Sequence, residues 1–152
     1  MINQKYTSNS EEETIELGRK FSKELRGGDI VAFYGDLGSG KTEFIKGICE
    51  KFEIQDLVTS PTFTIVNNYK CSNGTMIYHL DLYRLKEKDE FDEIGFYELL
   101  DDENAIKLIE WAEKGQALMP ENRINVKITN DPNNENKRYI SISSNIGETA
   151  EI

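Results

Sequence analysis

The residues whose types and spacing speak most directly of chemistry run from Gly35 to Thr42, G-D-L-G-S-G-K-T, and satisfy the pattern G-x-x-x-x-G-K-S/T. That spacing builds a phosphate cradle. Glycines admit backbone conformations and close approaches that a side chain would block, so successive backbone amides can point at phosphate oxygens. A helix beginning near Lys41 adds the positive end of its dipole. Lys41 supplies a point charge near the β- and γ-phosphates, and the Thr42 hydroxyl is placed to ligate Mg²⁺. The nucleotide contacts expected are Gly35, Asp36, Leu37, Gly38, Ser39 and Gly40 of the turn, followed by Lys41, Thr42 and Glu43. The motif implies binding of a nucleoside triphosphate.

A site of this kind needs an acid to help hold the metal and one to orient the attacking group. Asp81 and Glu110 both qualify, each at the end of an apolar run, H-L-D and A-I-K-L-I-E. Ligands of open α/β sheets bind at those strand ends. Spacing does not rank the two. Both are expected to face Mg²⁺, and with Lys41 they make up the expected catalytic set. His79 is the only histidine; it reads either as a general base or as a hydrogen-bonded structural residue beside a strand. Tyr83 and Trp111 read as core or partner-facing surface rather than base-stacking platforms.

The elements that must position these groups are legible in the pattern. Five apolar or aromatic residues, Ile30 to Tyr34, predict a buried strand entering the loop, and Phe44, Ile45, Ile48 and Phe52 predict a helix leaving it. Ser10-Glu11-Glu12-Glu13 is a capping box opening an earlier helix. Its stripe is Leu17, Phe21 and Leu25, and Gly27-Gly28 is expected to end it. Val58 to Thr64 holds Pro61 among hydroxyls, a turn that can also serve as a γ-phosphate switch. Phe63–Tyr69 and Thr75–His79 predict a hairpin closed by Asn73-Gly74. Alternation along the continuing strand would set His79, Asp81 and Tyr83 on one side.

Residues 86–103 hold nine acids against two lysines, interrupted by Phe91, Ile94, Phe96, Leu99 and Leu100. That composition predicts a short amphipathic helix pair with a solvated acidic face, or a docking surface for a basic partner. Ala105 to Trp111 predicts a buried strand. Arg123–Thr129 and Arg138–Ser143 predict an antiparallel hairpin at the sheet edge. The fold class expected is α/β: a P-loop NTPase-like three-layer sandwich, its mixed sheet mostly parallel with an antiparallel hairpin portion. One P-loop ATPase domain is expected over residues 1–144, with 145–152 a frayed C-terminal tail.

The chain has 152 residues, 28 acids against 18 basic residues and a net charge of −10. That balance argues against a standalone nucleic-acid binder, which needs a basic patch. Only five arginines are present, and Arg84 alone lies near a motif. No apolar run is long enough to span a bilayer and no signal-peptide core opens the chain, so a cytoplasmic location and no membrane partner are expected. Cys49 and Cys71 lack metal-ligand or redox spacing and are expected to be reduced and inert.

Four motifs then occur in order: G-D-L-G-S-G-K-T at 35–42, S-P-T-F-T at 60–64, H-x-D-L-Y-R at 79–84 and I-E-W at 109–111. Together they resemble the TsaE (YjeE) family, the ATPase of the bacterial pathway that makes threonylcarbamoyladenosine in tRNA, from the first helix to about residue 128. The resemblance implies a small P-loop fold that binds ATP or ADP with Mg²⁺. It implies association with TsaD and TsaB, which perform the transfer, and contact with tRNA only indirectly through that complex. Alone, the chain is expected to be a monomer or weakly self-associated, with hydrolysis slow until partners complete the site. Carried over, Lys41 contacts phosphates, Thr42 and Glu110 bind Mg²⁺, and Asp81 lies at the metal or orients water. Ser60 to Phe63 form the switch segment, and Ser10 and Glu11 approach the adenine. The chain departs from the pattern at Ala112, where proline is common, and in a slightly longer 100–104 segment. The tail matches least, so Lys137 and Arg138 receive no nucleotide role. The competing classes are a small-molecule kinase, a GTPase switch, which would need the Asn-Lys-x-Asp segment that this chain lacks, and an assembly factor gated by nucleotide.

Overall fold

The computed structural model describes residues 3–35, 38–54 and 66–144. In chain order these are β1 (Asn3–Ser8), α1 (Glu11–Ser22), β2 (Ile30–Tyr34), α2 (Lys41–Lys51), β3 (Val66–Lys70) and β4 (Met76–Asp81). Then follow α3 (Lys88–Glu93), α4 (Phe96–Asp101), β5 (Ala105–Glu110), two short 3-10 turns, β6 (Ile124–Asp131) and β7 (Asn134–Ser144). The strands form one sheet in the order β1-β7-β6-β2-β5-β4-β3. Its centre, β6-β2-β5-β4, is parallel, and antiparallel pairs finish both edges.

The apolar runs explain the centre. Every residue of β5 is buried, as are the first four of β2, the mark of strands covered on both faces. Alternation sends Val31, Phe33, Ile106 and Leu108 to one face, where they meet Phe21 of α1 with Phe44 and Ile48 of α2. Ile30, Ala32 and Ile109 go to the other, against Phe91 of α3 and Phe96 of α4. The three layers follow from that division. α1 and α2 cross at backbone distance: a Cβ on Gly47 would sit 1.9 Å from the Ile15 carbonyl oxygen. Only glycine permits that approach, and it fixes the start of α1 beside the start of α2.

Most expected elements are present, with four corrections. α1 starts at its Ser10 cap, whose side chain accepts from the Glu13 amide, but it ends at Ser22, before Gly27-Gly28. The Lys23 cap stays right-handed while its N–H bonds back to Lys20 and Phe21, so the glycine pair shapes the following loop. β1 was not anticipated. Its sequence, N-Q-K-Y-T-S, has no apolar alternation, and its strand form comes from pairing with β7. In consequence the β6–β7 hairpin is not the sheet edge: β1 flanks β7, and β6 pairs with β2 at the centre. Finally, β4 stops at Asp81. The Tyr83 amide donates to Asp81 Oδ1 at 2.9 Å, a turn that takes Tyr83 off the strand face. The 71–74 turn and the helix pair over 86–103 stand as read, and Cys49 and Cys71 are free and buried. The Val58 to Thr64 segment, Asp36, Leu37 and the tail 145–152 lie outside the described residues.

Candidate functional site

β2 delivers the chain to Gly35, and α2 begins at Lys41 behind Gly40, whose φ of 103° an L side chain resists. β4 and β5 lie parallel with Asp81 opposite Glu110 in register, so the two carboxylates end adjacent strands side by side. A cavity of about 450 Å³ joins these pieces. It is lined by Gly38 to Glu43 on the loop side and by Asp81, Tyr83, Glu110 and Trp111 on the strand side. The expected catalytic set Lys41, Asp81 and Glu110 is thus brought together with Thr42, and all three are buried.

Lys41 is held in the site by two contacts among the described residues. Lys41 Nζ donates to the Gly35 carbonyl at 2.5 Å and lies 3.9 Å from the centroid of the Trp111 ring. A cation held over a ring face is stabilised by the ring quadrupole. Trp111 reaches that place from a left-handed backbone, φ 56°, directly after β5, and its ring packs 4.8 Å from that of Tyr83. Tyr83 and Trp111 therefore wall the cavity, a placement the sequence alone did not suggest. Glu110 Oε2 accepts from His79 Nε2 at 2.7 Å, and His79 is fully buried outside the cavity lining.

A smaller cavity, about 190 Å³, shares Gly38, Gly40 and Glu43 with the first and is otherwise lined by Ser10, Glu11, Thr14, Asn136 and Arg138. The start of α1 therefore adjoins the loop. Arg138, set aside in the sequence for its poorly matching tail, comes from β7, and its Nη2 donates to the Gly38 carbonyl at 3.2 Å. Its distance along the chain hid it, since only β7's pairing with β6 and β1 carries it to the loop. Arg84 lines neither cavity.

Among the described residues, no group of three or more His, Cys, Asp or Glu is gathered to hold a metal by itself. Two carboxylates and a hydroxyl are instead the donor set of a hard cation completed by phosphate oxygens and water, which suits Mg²⁺. Three buried polar atoms have no partner among the described residues: Tyr34 Oη, Ser39 Oγ and His79 Nδ1. Of these, Ser39 lines the larger cavity, Tyr34 ends β2, and His79 lies on β4 against Glu110.

A strand, glycine-rich turn and helix at the carboxyl edge of an α/β sheet covered on both faces define a P-loop NTPase-like protein. Solved structures agree: a crystal structure of Bacillus subtilis YdiB aligns at TM-score 0.74 and 27% identity, over 99% of this chain and 90% of that one. The family described as threonylcarbamoyl adenosine biosynthesis protein TsaE matches residues 8–140, and the chain belongs to it. The tRNA threonylcarbamoyladenosine biosynthesis protein TsaE of Rickettsia felis is 42% identical over 145 residues, 95% of this chain and 82% of that protein. Its namesake in Bacillus subtilis is 34% identical over 125 residues, 82% of this chain and 76% of that protein. No helix among the described residues is long and apolar enough to cross a membrane.

Proposed function

We propose that this chain serves threonylcarbamoyladenosine biosynthesis as an ATPase, binding ATP with Mg²⁺ and hydrolysing it in a cytoplasmic complex with TsaD and TsaB. The observation that carries the reading is the cavity in which residues 38–43 face Asp81 and Glu110. The loop amides and the start of α2 take the β- and γ-phosphates. Lys41, released from the Gly35 carbonyl, moves its charge to those phosphates, with Trp111 leaving it few other directions. Thr42 and Glu110 hold Mg²⁺, which neutralises charge on the phosphates when bound. Asp81, anchored by the Tyr83 amide, orients the attacking water or joins the metal's shell. ADP occupies the same loop after hydrolysis, and the adenine lies toward Ser10 and Glu11.

Turnover by the chain alone is slow in this reading. Arg138 is the arginine beside the loop, and its guanidinium is engaged by the carbonyls of Gly38, Glu135 and Lys137. Full charge compensation then waits for a partner. The acidic balance of the chain fits a subunit that leaves tRNA to TsaD and TsaB.

The test is ATP hydrolysis by the chain alone and with TsaD and TsaB, with Lys41→Ala as control. Stimulation of tenfold or more by the partners, absent in Lys41→Ala, is expected. Unstimulated hydrolysis would remove TsaD and TsaB from the reading, and absence of ATP binding would remove the ATPase itself.

A further inference from the structure

The register of β4 and β5 sets a problem as it builds the site. Asp81 and Glu110 are paired across the two strands and both are nearly sealed from water, 5% and 3% exposed. Two adjacent buried carboxylates repel each other and each loses hydration. Something must hold them in place. For Asp81 the Tyr83 amide does this, donating to Oδ1.

For Glu110 the holder is His79. His79 pairs in register with Leu108, two residues before Glu110, so its ring and the Glu110 carboxylate are diagonal neighbours on one face of the sheet. The 2.7 Å contact between Nε2 and Oε2 is that diagonal closed. A carboxylate oxygen accepts, so Nε2 carries the proton. The other ring nitrogen, Nδ1, is buried and has no partner among the described residues. Among the described residues, Glu110 is the hydrogen-bond partner of the ring. A general base must reach the reacting water, and His79 neither lines the cavity nor has any exposed surface.

We infer that His79 is a positioning residue: by fixing Glu110 Oε2 it commits the other carboxylate oxygen, Oε1, to the cation site. The inference rests on the reading of Glu110 as a ligand of Mg²⁺ and names the residue that sets its geometry. Outer partners of metal-binding carboxylates commonly change metal affinity by ten- to a hundredfold when removed.

The experiment measures ATP affinity calorimetrically in Mg²⁺ and in EDTA, for the parent chain, His79→Leu, His79→Gln and Glu110→Gln. A parent whose ATP affinity does not respond to Mg²⁺ would overturn the cation reading of Glu110, and the inference with it, before any variant is considered. With that response present, His79→Leu is expected to weaken ATP binding in Mg²⁺ by about ten- to a hundredfold and to change binding in EDTA less than twofold. His79→Gln keeps an amide donor and is expected to recover most of the loss. In a Glu110→Gln background, His79→Leu is expected to add less than a further twofold. Equal weakening in Mg²⁺ and EDTA, no weakening at all, or a full additional loss in the Glu110→Gln background would each overturn the positioning role. Should His79→Leu not fold, His79→Asn, whose shorter side chain stops short of Glu110, takes its place with the same expectations.

Discussion

The two ends of the central strand β5 treat buried polar groups in opposite ways. At its amino end Lys107 is fully buried, and its Nζ donates to the carbonyls of Gly28 at 3.1 Å and Asp102 at 2.7 Å. Burial holds its pKa below the usual lysine value. The hydroxyl of Tyr78 donates to Asp102 Oδ2, and the Asn104 amide donates to Oδ1. The buried ammonium is thus satisfied by half-buried partners, and the loops before β2 and β5 are tied together by it. At the carboxyl end stand two adjacent carboxylates, a lysine resting on its own loop, and the buried atoms Tyr34 Oη, Ser39 Oγ and His79 Nδ1 without partners among the described residues. Buried polar groups are normally paired, and an exception asks for an explanation. The contrast fits the proposed function: the amino end of β5 ties the fold together, and its carboxyl end lies in the proposed nucleotide site.

That contrast can be broken by experiment. The largest effect expected is at the amino end. Lys107→Met keeps the bulk but removes both charged hydrogen bonds, leaving the Asp102 carbonyl only its bond from the Ala105 amide, and should cost about 3 kcal/mol of stability in urea unfolding, with ATP affinity within twofold of the parent. A matching loss of affinity would erase the distinction between the ends. At the carboxyl end Lys41→Ala should weaken ATP binding at least a hundredfold, about 2.7 kcal/mol, while the unfolding free energy moves by less than about 1 kcal/mol. Calorimetry and urea unfolding on the same sample read both.

A pH scan sharpens the comparison by locating alkaline lability away from both ends. Burial pushes the Cys49 thiol on α2 up from 9.0 to about 12. Between those values the unfolded chain has lost its thiol proton and the folded chain has kept it, so stability falls as pH rises. From pH 8 to pH 10, Cys49→Ala should lose about 1.4 kcal/mol less stability than the parent. The smallest effect belongs to Ser39. Removing its hydroxyl, which has no partner among the described residues, in Ser39→Ala should leave stability unchanged or raise it by up to about 1 kcal/mol. A clear drop would show that Ser39 Oγ is paired in solution and would weaken the contrast at that point.

How much of this was legible in the chain depends on the range of the interaction. β2, α2, β4, β5 and the β6–β7 hairpin declare themselves through apolar runs and turn residues, and the loop motif fixed Lys41 and Thr42. Asp81 and Glu110 were found as strand ends, because that rule needs only local pattern. What stayed hidden was set by pairing between distant strands. β1 is polar and becomes a strand through β7. Arg138 reaches Gly38 because β7 lies where it does. The diagonal from His79 to Glu110 exists in one register of β4 on β5 and in no other. Tyr83 and Trp111 carried an ambiguous signal, since an aromatic at a strand end packs equally well inward or onto a pocket. Nothing short-range separates those outcomes.

The strand order bears on the birth of the protein as well. β2, which presents the glycine-rich loop, finds its neighbours only late: Ile30 meets Lys107, and Val31 meets Ile124. The opening strand waits longest, with Asn3 meeting Ser143. During synthesis the loop and α2 emerge early, yet the strand that must anchor them has no partner until β5 and β6 have left the ribosome. Contacts of such sequence separation close slowly because their loop entropy is lost before they are rewarded. The nascent chain therefore carries the apolar strand I-V-A-F-Y uncovered through much of its synthesis, a stretch open to chaperones and to aggregation alike. The cavity between the glycine-rich loop and the ends of β4 and β5 is among the last features to form.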